Sequence, residues 1–312
     1  MNSQIPSKTT TMPAPSPARH AMVPGQIGAR EQQRHASNVR TMVMPRTMPA
    51  RAAPCEQLVS GHAAVPIRDN VYAILSLSGG IGVSMVAAMT ALRLAQRRHS
   101  CVLVDCDFTA GGLDVLLGLE NEPGLRFQTV KAPLGHVDGP ALNHELPRWE
   151  RVGVLSSQPW SGEKPDSWEI LAVLQALAES NDVVIVDMAD GALYERVPEL
   201  ASYTQILIAE LTVLGLARAK HAKTMLSRQG CAKPLIVGAC PRGASPSKSI
   251  VSVEDAQEYL GDTLLGVITP DRHIQADVLE GLGVRAVSKG SRRAIDALVE
   301  YIEDDLGGDD DG

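Results

Sequence analysis

An α/β fold with a doubly wound, mostly parallel sheet is predicted by three features of this sequence. Short aliphatic runs recur along the chain, segments of helical period alternate with them, and the first strand–helix junction is a glycine turn. Residues 71–77 (VYAILSL) are apolar without polar alternation, the pattern of a strand buried on both faces of a parallel sheet. Gly79, Gly80 and Gly82 follow as a turn, residues 84–97 are apolar at helical spacing, and residues 101–105 (CVLVD) make a second strand. Together they form a βαβ unit.

The alternation continues to the end of the chain. Residues 151–155 (RVGVL), 182–187 (DVVIVD), 204–209 (TQILIA), 234–239 (PLIVGA) and 264–268 (LLGVI) read as further strands. An amphipathic helix is expected at 167–179, and others at about 214–228, 252–260, 273–281 and 290–304. Ser252 followed by Asp255 reads as a capping box opening one of them. Such alternation places helices on both faces of a parallel sheet.

This ordered part, residues 69–303, is flanked by two different segments. Residues 1–68 are rich in Pro, Ser, Thr, Met, Ala and Arg without apolar periodicity. Lys8 and seven arginines there face only Glu31 and Glu56, a balance of about +6. A segment of this kind buries too little apolar surface to offset its ordering entropy and is expected to be disordered. It is either a solvated leader or a weak contact for anionic lipid or an acidic partner. Residues 304–312 are read as an acidic, flexible tail.

Composition narrows the function classes. Apolar residues make up 44% of the chain, enough for a sizeable core, but aromatics only 3%, so the core is expected to be aliphatic. Scarce aromatics and a net charge of −7 argue against a general polyanion-binding or base-stacking surface, and a nucleic-acid partner is not expected. Arg218, Lys220, Lys223, Arg228, Arg242 and Lys248 are read as ordinary solvated positions rather than a DNA patch. The five cysteines include no C-x-x-C pair and suggest neither zinc nor a disulfide framework. No apolar run reaches the roughly 18 residues that span a bilayer, and no apolar leader is evident, so a cytoplasmic location is expected.

The glycine turn is the candidate site. Backbone N–H groups at a helix N-terminus favour anions, and two ligand classes compete for this geometry. A dinucleotide would require G-x-G-x-x-G, but Gly80-Ile81-Gly82-Val83-Ser84 is followed by Met85, so the match is partial even with Asp105 at the end of the second strand. A nucleoside triphosphate would require G-x-x-x-x-G-K-[ST]. The frame 77–84 keeps only Gly82 and Ser84, with Leu77 and Val83 in place of the first glycine and the lysine.

The wider context resembles the MinD/ParA family of deviant P-loop ATPases. That family has K-G-G-x-G-K-T, then a strand ending D-x-D, then a segment like N-L-D-L-x-x-G. This chain has Ser78-Gly79-Gly80-Ile81-Gly82-Val83-Ser84, then Asp105-Cys106-Asp107, then GLDVLLG at 112–118. Residues 182–187 are similar to the family's Walker B strand, and residues 252–271, ending Thr269-Pro270-Asp271, to its passage near the adenine. The resemblance implies that ATP and Mg²⁺ are the cofactors, with Ser78 to Met85 along the phosphates. It implies Ser84, Asp105 and Asp187 for the metal and its water, and Asp107 and Asp187 for catalysis. Read without the family, these acids cap strand ends beside a solvated crevice.

Two departures bear on activity. The family's loop lysines fall at Ser78 and Val83, which carry no charge. A charge-assisted contact is worth about 1.5–3 kcal/mol, and loss of an electrostatic donor costs about 10²–10³ in rate. ATP hydrolysis, if present, is therefore expected to be slow, unless another cation stands in. The family's base-reading asparagine falls near Gly238. Within the family, the long N-terminal segment and the altered loop resemble the CpaE/TadZ-like branch, which implies a localisation or assembly factor for Flp/Tad-type pili or secretion machines. A slow positioning ATPase and a septum-site regulator are the alternatives. The expected partners are proteins of that polar or division machine and a second copy of the chain. Recruitment to the pole or septum at the inner membrane face is expected, with membrane contact only indirect or through the N-terminal arm, because residues 303–312 are acidic.

Overall fold

The computed structural model describes residues 69–243 and 250–307. The expected disordered segment 1–68 and position 248 lie outside them. The strands are β1 (Val71–Leu75), β2 (Cys101–Asp105), β3 (Arg148–Trp149), β4 (Val152–Leu155), β5 (Val183–Asp187), β6 (Thr204–Glu210), β7 (Leu235–Ala239) and β8 (Val267–Ile268). They form one sheet in the order β3-β4-β2-β5-β1-β6-β7-β8. Only β3 runs antiparallel, against β4 at the edge. The helices are α1 (Val83–Gln96), α2 (Leu113–Leu117), α3 (Gly139–Glu145), α4 (Ser167–Ser180), α5 (Val213–Arg228), α6 (Val253–Leu260), α7 (Arg272–Leu279) and α8 (Arg292–Gly307).

Period-two alternation along each strand builds two cores. Val71, Ala73 and Leu75 of β1 face one core with Ile170, Leu174 and Leu177 of α4 and Leu216 and Leu226 of α5. Tyr72 and Ile74 face the other, with Val86 and Leu94 of α1 and Ile295 and Leu298 of α8. Since β1 and β5 are central, every residue of both is buried, which is why their sequences lack polar alternation.

Several boundaries differ from expectation for local reasons. β1 ends at Leu75 rather than Leu77, because the Ser76 hydroxyl donates to the carbonyl of Ile208 at 2.7 Å and accepts from the N–H of Ser78. These bonds pull the chain out of the ladder and start the turn. The last strand is only Val267–Ile268; Gly266 is crowded by α8, where an added Cβ would stand 2.7 Å from the Ala294 Cβ. The segment 112–118 contains a helix, and α3 and β3 were not expected at all. Asp138 caps α3 by accepting from the N–H of Ala141 at 2.9 Å. Ser252 caps α6 in the same way, accepting from the N–H of Asp255 at 3.0 Å.

The expected acidic tail starts too early. α8 runs to Gly307, and its acids are engaged: Glu303 pairs with Arg97 and His99, Asp296 with Arg93 at 2.6 Å, and Asp305 accepts from the Tyr72 hydroxyl at 2.9 Å. Any such tail therefore lies beyond residue 307, outside the described residues. These contacts clamp α8 along α1, the helix that leaves the glycine turn.

Candidate functional site

The carboxyl ends of β1, β2, β5 and β7 converge on one crevice, where ligands of open α/β sheets are found. The turn after β1 enters α1 with Gly80 at φ 72° and Gly82 at φ 102°, left-handed values that favour glycine. A Cβ on Gly79 or Gly80 would meet nothing within 4 Å, so that part of the turn opens onto space. No side chain caps α1, and no acid occupies its first turn. Its first N–H groups are thus left for solvent or an anion.

A cavity of about 590 Å³ lies over this turn. Ser78, Gly79, Gly80, Ile81, Gly82, Val83, Ser84 and Met85 all border it. Asp107 and Asp190 face it from the ends of β2 and β5. The two expected lysine positions are built differently from flexible cationic arms. Ser78 is buried, with its N–H on the Ser76 oxygen at 3.1 Å. Val83, with Ile81, Met85 and Leu116, packs half-buried onto the core shared by α1 and α8.

The acids divide into a facing one and two that lie deeper. Asp107 accepts from the N–H groups of Thr109 and Ala110 at 3.0 and 2.8 Å, an arrangement that holds its carboxylate at the cavity edge. Asp105 and Asp187 are neighbours in the β2–β5 register. Burial, then the charge of Asp187, pushes the Asp105 carboxyl up to about 8, against N–H donors from Asp107, Ser157 and Leu113. Burial also raises Asp187, while the adjacent Ser84 hydroxyl and the Ala189 N–H favour its ionised form. The expected metal set of Ser84, Asp105 and Asp187 is therefore not presented as a unit. Ser84 and Asp187 sit together, but neither Asp105 nor Asp187 borders the cavity, and both Asp105 oxygens accept from backbone N–H groups. Among the described residues no cluster of three His, Cys, Asp or Glu side chains could hold a metal by themselves.

Next to this cavity is a second, smaller one of about 240 Å³, mostly apolar. Met85 and Met89 of α1 form one wall, and Ile268, Pro270 and Ile274 another. Thr269, Pro270 and Asp271 line it, where the sequence resemblance had put the adenine side. Gly238 does not. It sits within β7, paired with Ala209 and Val267, and an added Cβ would stand 2.8 Å from Leu264 Cδ2. The position equated with the base-reading asparagine is thus a strand residue facing the α6 side of the sheet. Cys240 and Arg242, just past β7, are the residues that reach the cavity.

Three participants escaped sequence reasoning. Arg242 is exposed, as a solvated position would be, but it also borders both cavities. Its signal was its place two residues beyond Cys240 at the carboxyl end of a parallel strand. Arg126 and Gln158 both reach Asp114 Oδ2, at 3.3 and 2.7 Å, and hold α2 against the cavity's outer wall. No local pattern announces them, because they lie 12 and 44 residues away from Asp114. Of the other cations, Lys223 pairs with Asp262, and Lys220 stands over the Tyr259 ring at 4.5 Å.

A mostly parallel eight-stranded sheet, a glycine turn between β1 and α1, and acids at the ends of β2 and β5 define the P-loop NTPase fold of the MinD/ParA type. Comparison with known proteins agrees at this level. The chain is similar to the septum site-determining protein MinD of Pyrococcus horikoshii, solved as a complex with Mg-ADP, at TM-score 0.55 and 22% identity, covering 75% of this chain and 96% of that one. It is 26% identical over 259 residues to MinD of Helicobacter pylori, covering 75% of this chain and 93% of that protein. An uncharacterized protein of Mycobacterium tuberculosis is 34% identical over 132 residues, covering 41% of this chain and 36% of that protein, so the chain matches only about a third of its length. No protein-family model matches.

Proposed function

We propose that this chain is a positioning and assembly factor, CpaE/TadZ-like in role, that binds a nucleotide with Mg²⁺ in the crevice and hydrolyses it slowly or not at all. It would act at the inner face of the membrane, supporting a Flp/Tad-type pilus or secretion machine through protein partners. The observation that carries this reading is the combination at the turn: an open glycine nest on an uncapped helix, with Val83 packed into the core where hydrolysing relatives of this fold would place a cation. A nest of N–H groups binds an anion without any charged side chain, whereas rapid phosphoryl transfer depends on preorganised positive charge.

The residues present fit such a ligand. The N–H groups from Gly79 to Ser84 would hold phosphates, Ser84 and Asp187 would hold the Mg²⁺, and Asp107 would bear on water at the cavity edge. When bound, the cation would supply neutralising charge. The smaller apolar cavity would take the base. A homodimer across this face belongs to the reading, and light scattering with and without ATP tests it.

Equilibrium dialysis of Mg-ATP against the full chain, run alongside phosphate release, tests the whole. Saturable binding with turnover far below one per minute is expected. Rapid turnover would replace the scaffold by a working positioning ATPase. The likeness to MinD along 93% of the Helicobacter protein favours a second placement, the division septum. A fluorescent fusion distinguishes the two: a polar focus supports the pilus role and a mid-cell band the septal one.

A further inference from the structure

Resting on the nucleotide-binding reading above, we propose that Arg242 replaces the missing loop lysine: it is the cation that meets the phosphates of a nucleoside di- or triphosphate, delivered from the turn after β7 instead of from the loop. Four observations lead here. Arg242 is the one basic side chain that borders the 590 Å³ cavity among the described residues. Its guanidinium lies against the glycine turn, with Nη2 3.4 Å from where a Cβ of Gly82 would stand. It also borders the 240 Å³ apolar cavity, so it stands where a base compartment and a phosphate compartment meet. No carboxylate among the described residues forms an ion pair with it, although Asp107 and Asp190 border the same cavity.

The chemistry of the surroundings fits this role. The loop cannot supply charge, since Ile81, Val83 and Met85 are committed to apolar packing. Polyphosphate brought onto the α1 N-terminus would gain N–H donors there but would lie beside Asp107 and Asp190, with Arg242 the one basic side chain bordering the cavity among the described residues. A guanidinium offers a planar fork of donors suited to phosphate oxygens. Pro241 precedes it and restricts the backbone from which the side chain extends. The side chain is exposed, so it can be replaced without opening the core.

The consequence is that phosphate affinity depends on position 242 and not on position 83. Isothermal titration of the full chain with Mg-ADP, Mg-ATP and adenosine tests this, with melting curves as a folding control. Arg242→Ala is expected to weaken both nucleotides about tenfold to a hundredfold, the loss of one charge-assisted contact. Adenosine, which carries no phosphate, is expected to bind the variant within about threefold of the native chain, since no charge-assisted contact is lost. Arg242→Lys should fall between, as a point charge replaces the fork, and Val83→Lys in the Arg242→Ala background should recover part of the loss. Native nucleotide binding with Arg242→Ala unchanged would overturn the role of Arg242 while leaving the binding site itself standing. An equal loss for adenosine would overturn it too, by showing general damage to the crevice. A native chain that binds neither ADP nor ATP at millimolar concentration removes both this role and the reading beneath it.

Discussion

Replacing Arg126 by alanine should destabilise the domain severely, and the size of the loss follows from its surroundings. The side chain of Arg126 is 7% exposed and that of Asp114 only 1%. The guanidinium donates to Asp114 and to the carbonyls of Leu119 at 2.8 Å, Glu122 at 3.1 Å and Gly124 at 3.2 Å. Removing it leaves a buried carboxylate whose remaining side-chain donor is Gln158, and four carbonyls, including that of Leu125 at 3.4 Å, lose a partner. Breaking one side of a buried pair costs about 3–5 kcal/mol. For a domain of this size, each kcal/mol moves the melting temperature by roughly 2–4 °C, so a fall of about 6–20 °C is expected. Calorimetry and urea unfolding at neutral pH measure it. The double variant Arg126→Met with Asp114→Leu removes both charges and should recover most of the loss, because a well-packed apolar pair often matches a buried ion pair. A loss under about 1 kcal/mol for Arg126→Ala would refute the reasoning, since it would mean that water reaches Asp114 and the pair is solvated.

Three further perturbations follow from the same geometry. Gly82→Ala places a side chain at φ 102° and should cost about 1–2 kcal/mol, seen as a lower urea midpoint, with weakened anion binding as the turn shifts. Gly266→Val drives β8 against Ala294, 2.7 Å from the first added carbon, and overpacking of this kind should cost about 1–3 kcal/mol; protease nicking near α8 would report the loosened helix. Glu303→Gln tests the α1–α8 clamp: although burial opposes it, hydrogen bonds and charge from His99 and Arg97 hold the Glu303 carboxyl below its ordinary 4.5. A depressed acid stabilises the fold above its unfolded value and loses that contribution as pH falls through the folded value. The variant should therefore lose about 0.5–1 kcal/mol at pH 7 and show a shallower decline below about pH 4.5 in acid titrations followed by circular dichroism.

The sheet was legible because its strands are aliphatic runs buried on both faces; six of the eight lie within segments read from the sequence, and β6 runs one residue beyond its segment, to Glu210. The eighth, Arg148–Trp149, is two residues long and pairs only at the edge, too short to carry a periodic signal. α3 was missed because its seven residues include glycine, proline, asparagine and histidine, and its stability comes from the Asp138 cap and packing on α4. The glycine turn was legible through its glycines. Gly238 was misassigned because the position was counted from a motif, whereas its orientation is set by the β6–β7–β8 register. Arg242 was passed over because a lone arginine carries no pattern, and only the fold brings the end of β7 beside the turn after β1.

Those two strands are separated by β6 in the sheet, so the approach of Arg242 to Gly82 is a product of topology and not of neighbouring sequence. This bears on how charge is balanced in the crevice. Two acids, Asp105 and Asp187, lie buried side by side beneath a turn with no loop cation. Burial, and then the neighbouring Asp187 charge, raises the Asp105 carboxyl. With Arg242 in the role proposed for it, positive charge would come from the rim of the crevice and not from the loop. On the proposed reading, an uncapped helix N-terminus and a rim arginine would hold an anion without a loop cation in line with a phosphate undergoing transfer, so retention with little turnover is the expected outcome.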